Sequence, residues 1–294
     1  MSELLILSRA VHIGSCLVLL AIYAVRLLIE RPALESAGQA RGLAGLCLAG
    51  AAVSGFLWFW VAVAGMSGSG MLESLSPQLF RMVIEQTPPG HVWAFRVGAG
   101  ALLAVVLCFP RGAWRWRLGG ALAAVIVGSL AWLGHAGAGE DGRLSWMLAG
   151  DILHLLAAGV WPAGLAPFAL LLRRRIKAGE LVAARIAVRR FSAMSLATVA
   201  VLAASGVVNA WFLVGSFHAL VESDYGRLLV AKLALFFIAL AFGGWNLLVH
   251  KPRIETTTGA LHSIERKVWL EAALGALIVV VVAIMGTLPP GAHP

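Results

Sequence analysis

The feature that most limits what this chain can fold into is a repeated one. Apolar runs long enough to cross a bilayer follow one another from end to end, separated only by short polar or basic breaks. Crossing a hydrocarbon core about 30 Å thick takes roughly 20 apolar residues in a helix. Runs of that kind are predicted near 4–28, 42–64, 92–110, 115–134, 146–172, 190–216, 225–249 and 266–288. The alternating ten-residue pattern of a membrane β-barrel is not seen, so helices must satisfy the backbone. The expected fold is all-α, a polytopic membrane helix bundle of about eight transmembrane helices, forming a single transmembrane domain over 1–294. With 60% hydrophobic and 13% charged residues, a water-soluble domain of this length is excluded.

A net charge of +9 suggests nucleic acid as a partner until the basic residues are located. They fall in alternate breaks. Arg26, Arg31 and Arg41, then Arg111, Arg115 and Arg117, then Arg173 to Arg190, then Lys251, Arg253, Arg266 and Lys267 account for most of the 23 Lys and Arg. That pattern orients a membrane chain and argues against nucleic-acid binding; the partner it implies is the lipid bilayer. By the positive-inside rule these breaks are cytoplasmic, which puts both termini on the other side. The N-terminal run lacks a basic leader and a small-residue cleavage site, so it is read as a retained span. Cys16, Cys47 and Cys108 lie inside apolar runs with no CxxC pair, and no disulfide framework is expected.

The longest outer break, 65–91, is rich in Gly and Ser and too polar to be a span. Trp93, Trp114, Trp116 and Trp146 are read as interfacial anchors. Gly119, Gly120 and Gly128 in the fourth run allow close helix packing.

Polar and ionisable side chains inside a bilayer are costly unless paired, ligated or hydrated, so they mark candidate sites. Here they are His12 with Cys16, His135, Asp151 with His154, Asn209, Lys232 and Asn246. His12 and His154 each lie about eight residues from the outer start of an inward-running span, about 12 Å deep at 1.5 Å per residue. Equal depth on two helices suits one ion. His12 and Cys16 are four apart and share a helix face; Asp151 and His154 are three apart, which lets the carboxylate orient the imidazole or join it as a ligand. Imidazole, thiolate and thioether suit copper, and Met66, Met71, Met82, Met147 and Met285 would fit an outer approach path for a soft metal. Pro162 is expected to bend the fifth span and free a carbonyl below His154.

Several runs resemble a known family. Gly134-His135-Ala136, then Asp151-Ile152-Leu153-His154 leading to Trp161, then Arg190-Phe191-Ser192 continuing to Ser205-Gly206 and Asn209, then Tyr225-Gly226-Arg227 with Lys232 and a later Asn246, resemble the copper resistance protein D (CopD) family. The family's Trp-x-Gly-Gly is replaced here by Trp161-Pro162-Ala163-Gly164. The resemblance implies eight helices in a bacterial inner membrane with periplasmic termini, and a copper-handling protein moving copper from periplasm towards cytoplasm beside a periplasmic copper-binding protein. It implies His12, His135, His154 and Asp151 as metal-associated positions.

The expected mechanism is ligand exchange: His12 and His154 hold copper, with Cys16 as a further candidate, Asp151 sets the imidazole, and His135 acts nearer the surface. The alternative is a b-type membrane cytochrome, since two histidines at equal depth would also ligate a haem b. Against it, no second pair is evident at the cytoplasmic side. Enzymatic chemistry is not expected, since no nucleophile–base–orienter set or HExxH motif is visible.

Overall fold

A computed structural model describes residues 2–30, 38–109, 112–134, 143–214, 216–255 and 257–289. Among them there is no strand, and eight helices are long and apolar enough to cross a membrane. The elements are α1 (Ser2–Ala24), α2 (Gly38–Ser67), α3 (Pro77–Gln86), α4 (Pro88–Cys108), α5 (Trp114–Gly128), α6 (Arg143–Val160), α7 (Leu165–Lys177), α8 (Leu181–Val214), α9 (Phe217–Glu222), α10 (Asp224–Trp245) and α11 (Thr258–Met285). The spans are α1, α2, α4, α5, the α6–α7 pair, α8, α10 and α11. The protein is a multi-pass membrane protein.

The predicted spans and the helices coincide except where charge ends an apolar run without ending the helix. The sixth run was bounded at 190, yet α8 begins at Leu181 and carries Arg185, Arg189 and Arg190 on helical backbone. Those side chains find partners off the helix: Arg185 and Arg189 reach Glu255 before α11, and Arg190 Nη1 donates to the Ile29 carbonyl (2.8 Å). Gly179 turns the chain from α7 into α8 with φ +73°, a left-handed conformation that only glycine adopts without strain. The outer break is also not irregular throughout: Pro77–Gln86 is helical, and Thr87 caps the next helix by accepting from the Gly90 amide (3.0 Å).

The bundle is arranged around α1, which packs on α2, α5, α6 and α11. Small residues permit this, as expected: a Cβ on Gly119 of α5 would sit 2.5 Å from the Tyr23 ring, and one on Gly159 of α6 would meet Leu20 at 2.7 Å. One apolar core joins α1 to α2, α4 and α5 through Leu19, Tyr23, Trp58, Leu103 and Trp116; a second joins α6, α7, α8 and α11 through Trp161, Phe168, Leu172 and Leu261. Two of the four expected interfacial tryptophans belong to the core instead, Trp93 (8% exposed) and Trp116 (2%), whereas Trp114 and Trp146 are exposed. Aromatic rings placed near helix ends read alike in sequence whether they face lipid or neighbours.

The fifth span breaks where Pro162 predicts it. α6 ends at Val160, a turn covers 161–164, and α7 resumes at Leu165. Pro162 cannot donate to Ala158, but the Ala158 carbonyl is not left free: the Ala163 amide takes it at 3.1 Å, one residue late.

Candidate functional site

Five of the ionisable residues singled out above, His12, Cys16, Asp151, His154 and Lys232, line two cavities that share no lining residue. His12 lies in one and His154 in the other, so the two histidines expected around a single ion have different surroundings. Depth follows from spacing along a helix, but direction follows from packing: His12 faces α2 and α4, and His154 faces α8.

The His12 cavity, about 970 Å³, lies among α1, α2 and α4 and is lined by His12, Cys16, Phe56, Phe59, Trp93 and Arg96. His12 Nδ1 is 2.8 Å from the Ala51 carbonyl, which can only accept, so the ring proton is on Nδ1. The remaining lone pair, on Nε2, faces Arg96 Nη2 at 2.6 Å. Arg96 Nη1 donates to the Ile126 carbonyl and the Ser129 hydroxyl, both at 2.6 Å, which fixes the guanidinium between α4 and α5. Cys16 Sγ lies 3.7 Å from His12 Nε2 and 3.5 Å from Arg96 Nη2, on the shared face that the spacing predicts. Trp58 and Trp93 wall the imidazole at centroid distances of 5.6 and 5.3 Å. The nitrogen that would bind a metal is thus occupied by a cationic donor. A metal at His12 has to displace Arg96.

The His154 cavity, about 580 Å³, is enclosed by α1, α6, α8, α10 and α11 and contains Asp151, His154, Asn209, Tyr225 and Lys232. Ser205 donates its hydroxyl proton to the Val201 carbonyl (2.7 Å), so its oxygen accepts from His154 Nδ1 (3.2 Å). This places the His154 proton on Nδ1, where the Leu202 carbonyl is a second acceptor, and leaves Nε2 with no hydrogen-bond partner among the described residues. Asp151 was expected to orient the imidazole; Ser205 does so, and Asp151 Oδ1 accepts instead from Asn209 Nδ2 (3.2 Å) on α8. Three positions along α6 put the two side chains on one face without making them touch. Lys232 is near enough to act electrostatically on both Asp151 and His154. Met147 and Met285 line this cavity, while Met66 and Met82 are exposed on the surface.

His135 lies outside the described residues. Its neighbour Gly134 lines the His154 cavity, and a Cβ there would be 3.8 Å from Asp151 Oδ2, so the chain enters the undescribed segment beside the Asp151 carboxylate. No group of three or more His, Cys, Asp or Glu converges among the described residues.

Sequence reasoning missed Arg9, Arg96 and Glu271, and met Ser205 only within the run that carries the resemblance. Arg96 and Glu271 are 5% and 2% exposed within apolar spans. Arg96 is the one charge in its apolar run and Glu271 the one acidic group in its own, the signal that singled out Asp151. Arg9 stacks on Trp58 (4.6 Å to the ring centroid) and packs against Gly286.

Residues 1–146 match the family described as Copper resistance protein D-like, N-terminal domain, and residues 185–285 match Copper resistance protein D. Over 239 residues the chain is 34% identical to Copper resistance protein D of Pseudomonas syringae pv. tomato, an overlap of 76% of each chain. The chain belongs to the copper resistance protein D family. It is 30% identical to Inner membrane protein YebZ of Escherichia coli (strain K12), over 77% of each chain. It is 28% identical to Copper transport protein CutJ of Bacillus subtilis (strain 168), over 78% of this chain and 42% of that one. No solved structure matches. In this copper resistance protein D family member the N-terminal match holds His12, Cys16 and Arg96, and the C-terminal match holds Ser205, Asn209 and Lys232. Asp151 and His154 fall between the two matched segments.

Proposed function

We propose that this membrane protein binds copper as cargo at the His154 cavity and passes it across the bilayer from the periplasmic side, without covalent chemistry. The observation that carries the reading is the bare Nε2 of His154, held by a Ser205 acceptor in a cavity that also presents Asp151. A metal-ligating imidazole characteristically gives its other N–H to a fixed acceptor, as this one does. Asp151 is the second ligand, and His135, on the chain just past Gly134, is the third. Met147 and Met285 supply thioethers of the kind Cu(I) favours. The family membership and the relatives named for copper resistance and copper transport support the same cargo.

Lys232 gives the cavity a means of exchange. With no metal bound it is a positive charge acting on Asp151, and an arriving copper ion competes with it for the carboxylate. His12 and Cys16 form a separate station that opens to copper only when Arg96 withdraws. The basic breaks face the cytoplasm, both termini the periplasm, and a periplasmic copper-binding protein delivers the ion to the outer face. The whole of 1–294 acts as one transmembrane domain.

Elemental analysis and chelator competition on detergent-purified protein test the reading. Copper near one per chain, lost in His154→Ala and in Asp151→Asn but kept in His12→Ala, is the expected result. Copper retained in both of the first two variants would refute the site, and stoichiometric iron with a Soret band would replace the cargo with haem.

A further inference from the structure

A third polar cluster lies on the other side of the Trp161–Gly164 break. Glu271 sits near the middle of α11, 2% exposed, in a span where every other acidic group is absent for most of its length. Its Oε1 accepts from Asn246 Nδ2 (2.8 Å), and its Oε2 lies against Gly243, where a Cβ would be 3.3 Å away. Asn246 Oδ1 and Ser195 Oγ are buried without a partner. All of these residues line one cavity of about 170 Å³, with Ser192 from α8 and Trp161 as its wall towards the break. Chain neighbours at that break and along α11 divide between this cavity and the His154 cavity: Trp161 and Glu271 line the first, Pro162, Ala272 and Gly275 the second.

The charged and titratable groups around Glu271 are few. Lys267, one turn away on α11, acts on it at a distance but points to His250 Nε2 (2.7 Å) and to the Trp245 ring (5.1 Å). The turn 246–250 offers Asn246 and His250, α8 offers only the hydroxyls of Ser192 and Ser195, and α7 offers Leu165 and Phe168. No ion pair to Glu271 occurs among the described residues. A carboxylate in an apolar span must be balanced by a cation or by a proton. Copper is poorly served here, because the donors are all oxygens and the site lacks imidazole and sulfur. A proton needs only the carboxyl and an acceptor for the resulting O–H. Asn246 Oδ1 is such an acceptor, buried and waiting for a donor.

We propose that Glu271 is a proton-binding station of this protein, exchanging its proton with water from the face that carries the Arg-rich α7–α8 turn. Uptake converts the Glu271 carboxylate and one proton to the neutral acid, whose O–H on Oε2 is satisfied by Asn246 Oδ1 directly or through one water in the cavity. Release reverses the step and leaves the Asn246 amide hydrogen bond to Oε1 in place. The inference stands on the Glu271 cavity alone and does not need copper to bind at His154.

The test is infrared difference spectroscopy of the purified, metal-free full chain across a pH titration, with Glu271→Gln and Asn246→Leu. The expected result is a carboxylic-acid carbonyl band that titrates, is lost in Glu271→Gln, persists in Asp151→Asn and shifts in frequency in Asn246→Leu. Glu271→Gln keeps the side-chain shape; should it fail to fold, the frequency shift in Asn246→Leu still decides. A titrating spectrum indifferent to both substitutions overturns the proposal. So does a Glu271-dependent signal that moves with sodium concentration and not with pH, which would make the cluster a metal-cation site.

Discussion

Replacing Ser205 by alanine tests the His154 reading without touching a proposed ligand. The hydroxyl donates to Val201 at 2.7 Å, and its oxygen faces His154 Nδ1 at 3.2 Å, so it both fixes the tautomer and aims the ring. As an ordinary buried hydrogen bond this is worth about 0.5–1.5 kcal/mol. For the orienting partner of a metal-bound imidazole the loss is larger, about 10–100-fold in affinity, or about 1.4–2.8 kcal/mol. Chelator-competition titration of Ser205→Ala is therefore expected to show copper held 10–100 times more weakly. Ser205→Thr keeps a hydroxyl that can bond the carbonyl four residues back and should bind close to wild type. Thermal unfolding measured alongside separates a local effect from a misfolded bundle. If Ser205→Ala binds copper as wild type does while His154→Ala abolishes binding, the imidazole is not set by Ser205 and the Leu202 carbonyl alone holds the ring.

Further outcomes follow from other contacts. Gly119→Ala drives a methyl into the fully buried Tyr23 ring at 2.5 Å and should destabilise by about 1–3 kcal/mol in thermal or denaturant unfolding, whereas Gly120→Ala meets a movable Leu27 methyl at 3.1 Å and should cost less. Copper at about one hundred times its dissociation constant should stabilise the wild type by about 2.7 kcal/mol, and chelation should remove that gain; His154→Ala should show no gain from the outset. Arg96→Met strips hydrogen bonds from Ile126, Ser129 and His12, costing about 1–3 kcal/mol in unfolding. The same change uncovers His12 Nε2 beside Cys16, so elemental analysis should find a second, weaker copper equivalent that Cys16→Ala removes.

The spans were legible because apolar length is a one-dimensional property, and a helix in lipid has no other way to satisfy its backbone. Helix ends were less legible: α8 runs nine residues past the point where its apolar run gives way to arginines, because interfacial side chains pair with Glu255 and Ile29 without breaking the backbone. The face-sharing of His12 with Cys16 follows from four-residue spacing. The separation of His12 from His154 does not, since azimuth is decided by which small residues, Gly119 and Gly159 among them, let neighbours approach. Arg96 escaped notice because one charge is averaged away in an apolar run, although its partners, a carbonyl and a hydroxyl oxygen and a ring nitrogen, come from two other spans. Ser205 was visible only as part of the Ser205-Gly206 run that carries the resemblance, and its role appears only with the His154 nitrogen opposite.

α1 is a party wall. One side carries His12 and Cys16 into the first cavity, while Ile13, Gly14 and Leu17 form part of the lining of the second, and Arg9 is clamped between Trp58 of α2 and Gly286 past the end of α11. A helix so placed has no private movement. A slide or roll that suits a ligand on one side redraws the chamber on the other, so the two matched segments of the chain are mechanically joined through a helix that belongs to the first and faces the second. If filling one cavity moves α1, the free energy of filling its neighbour changes, and by the same amount in both directions.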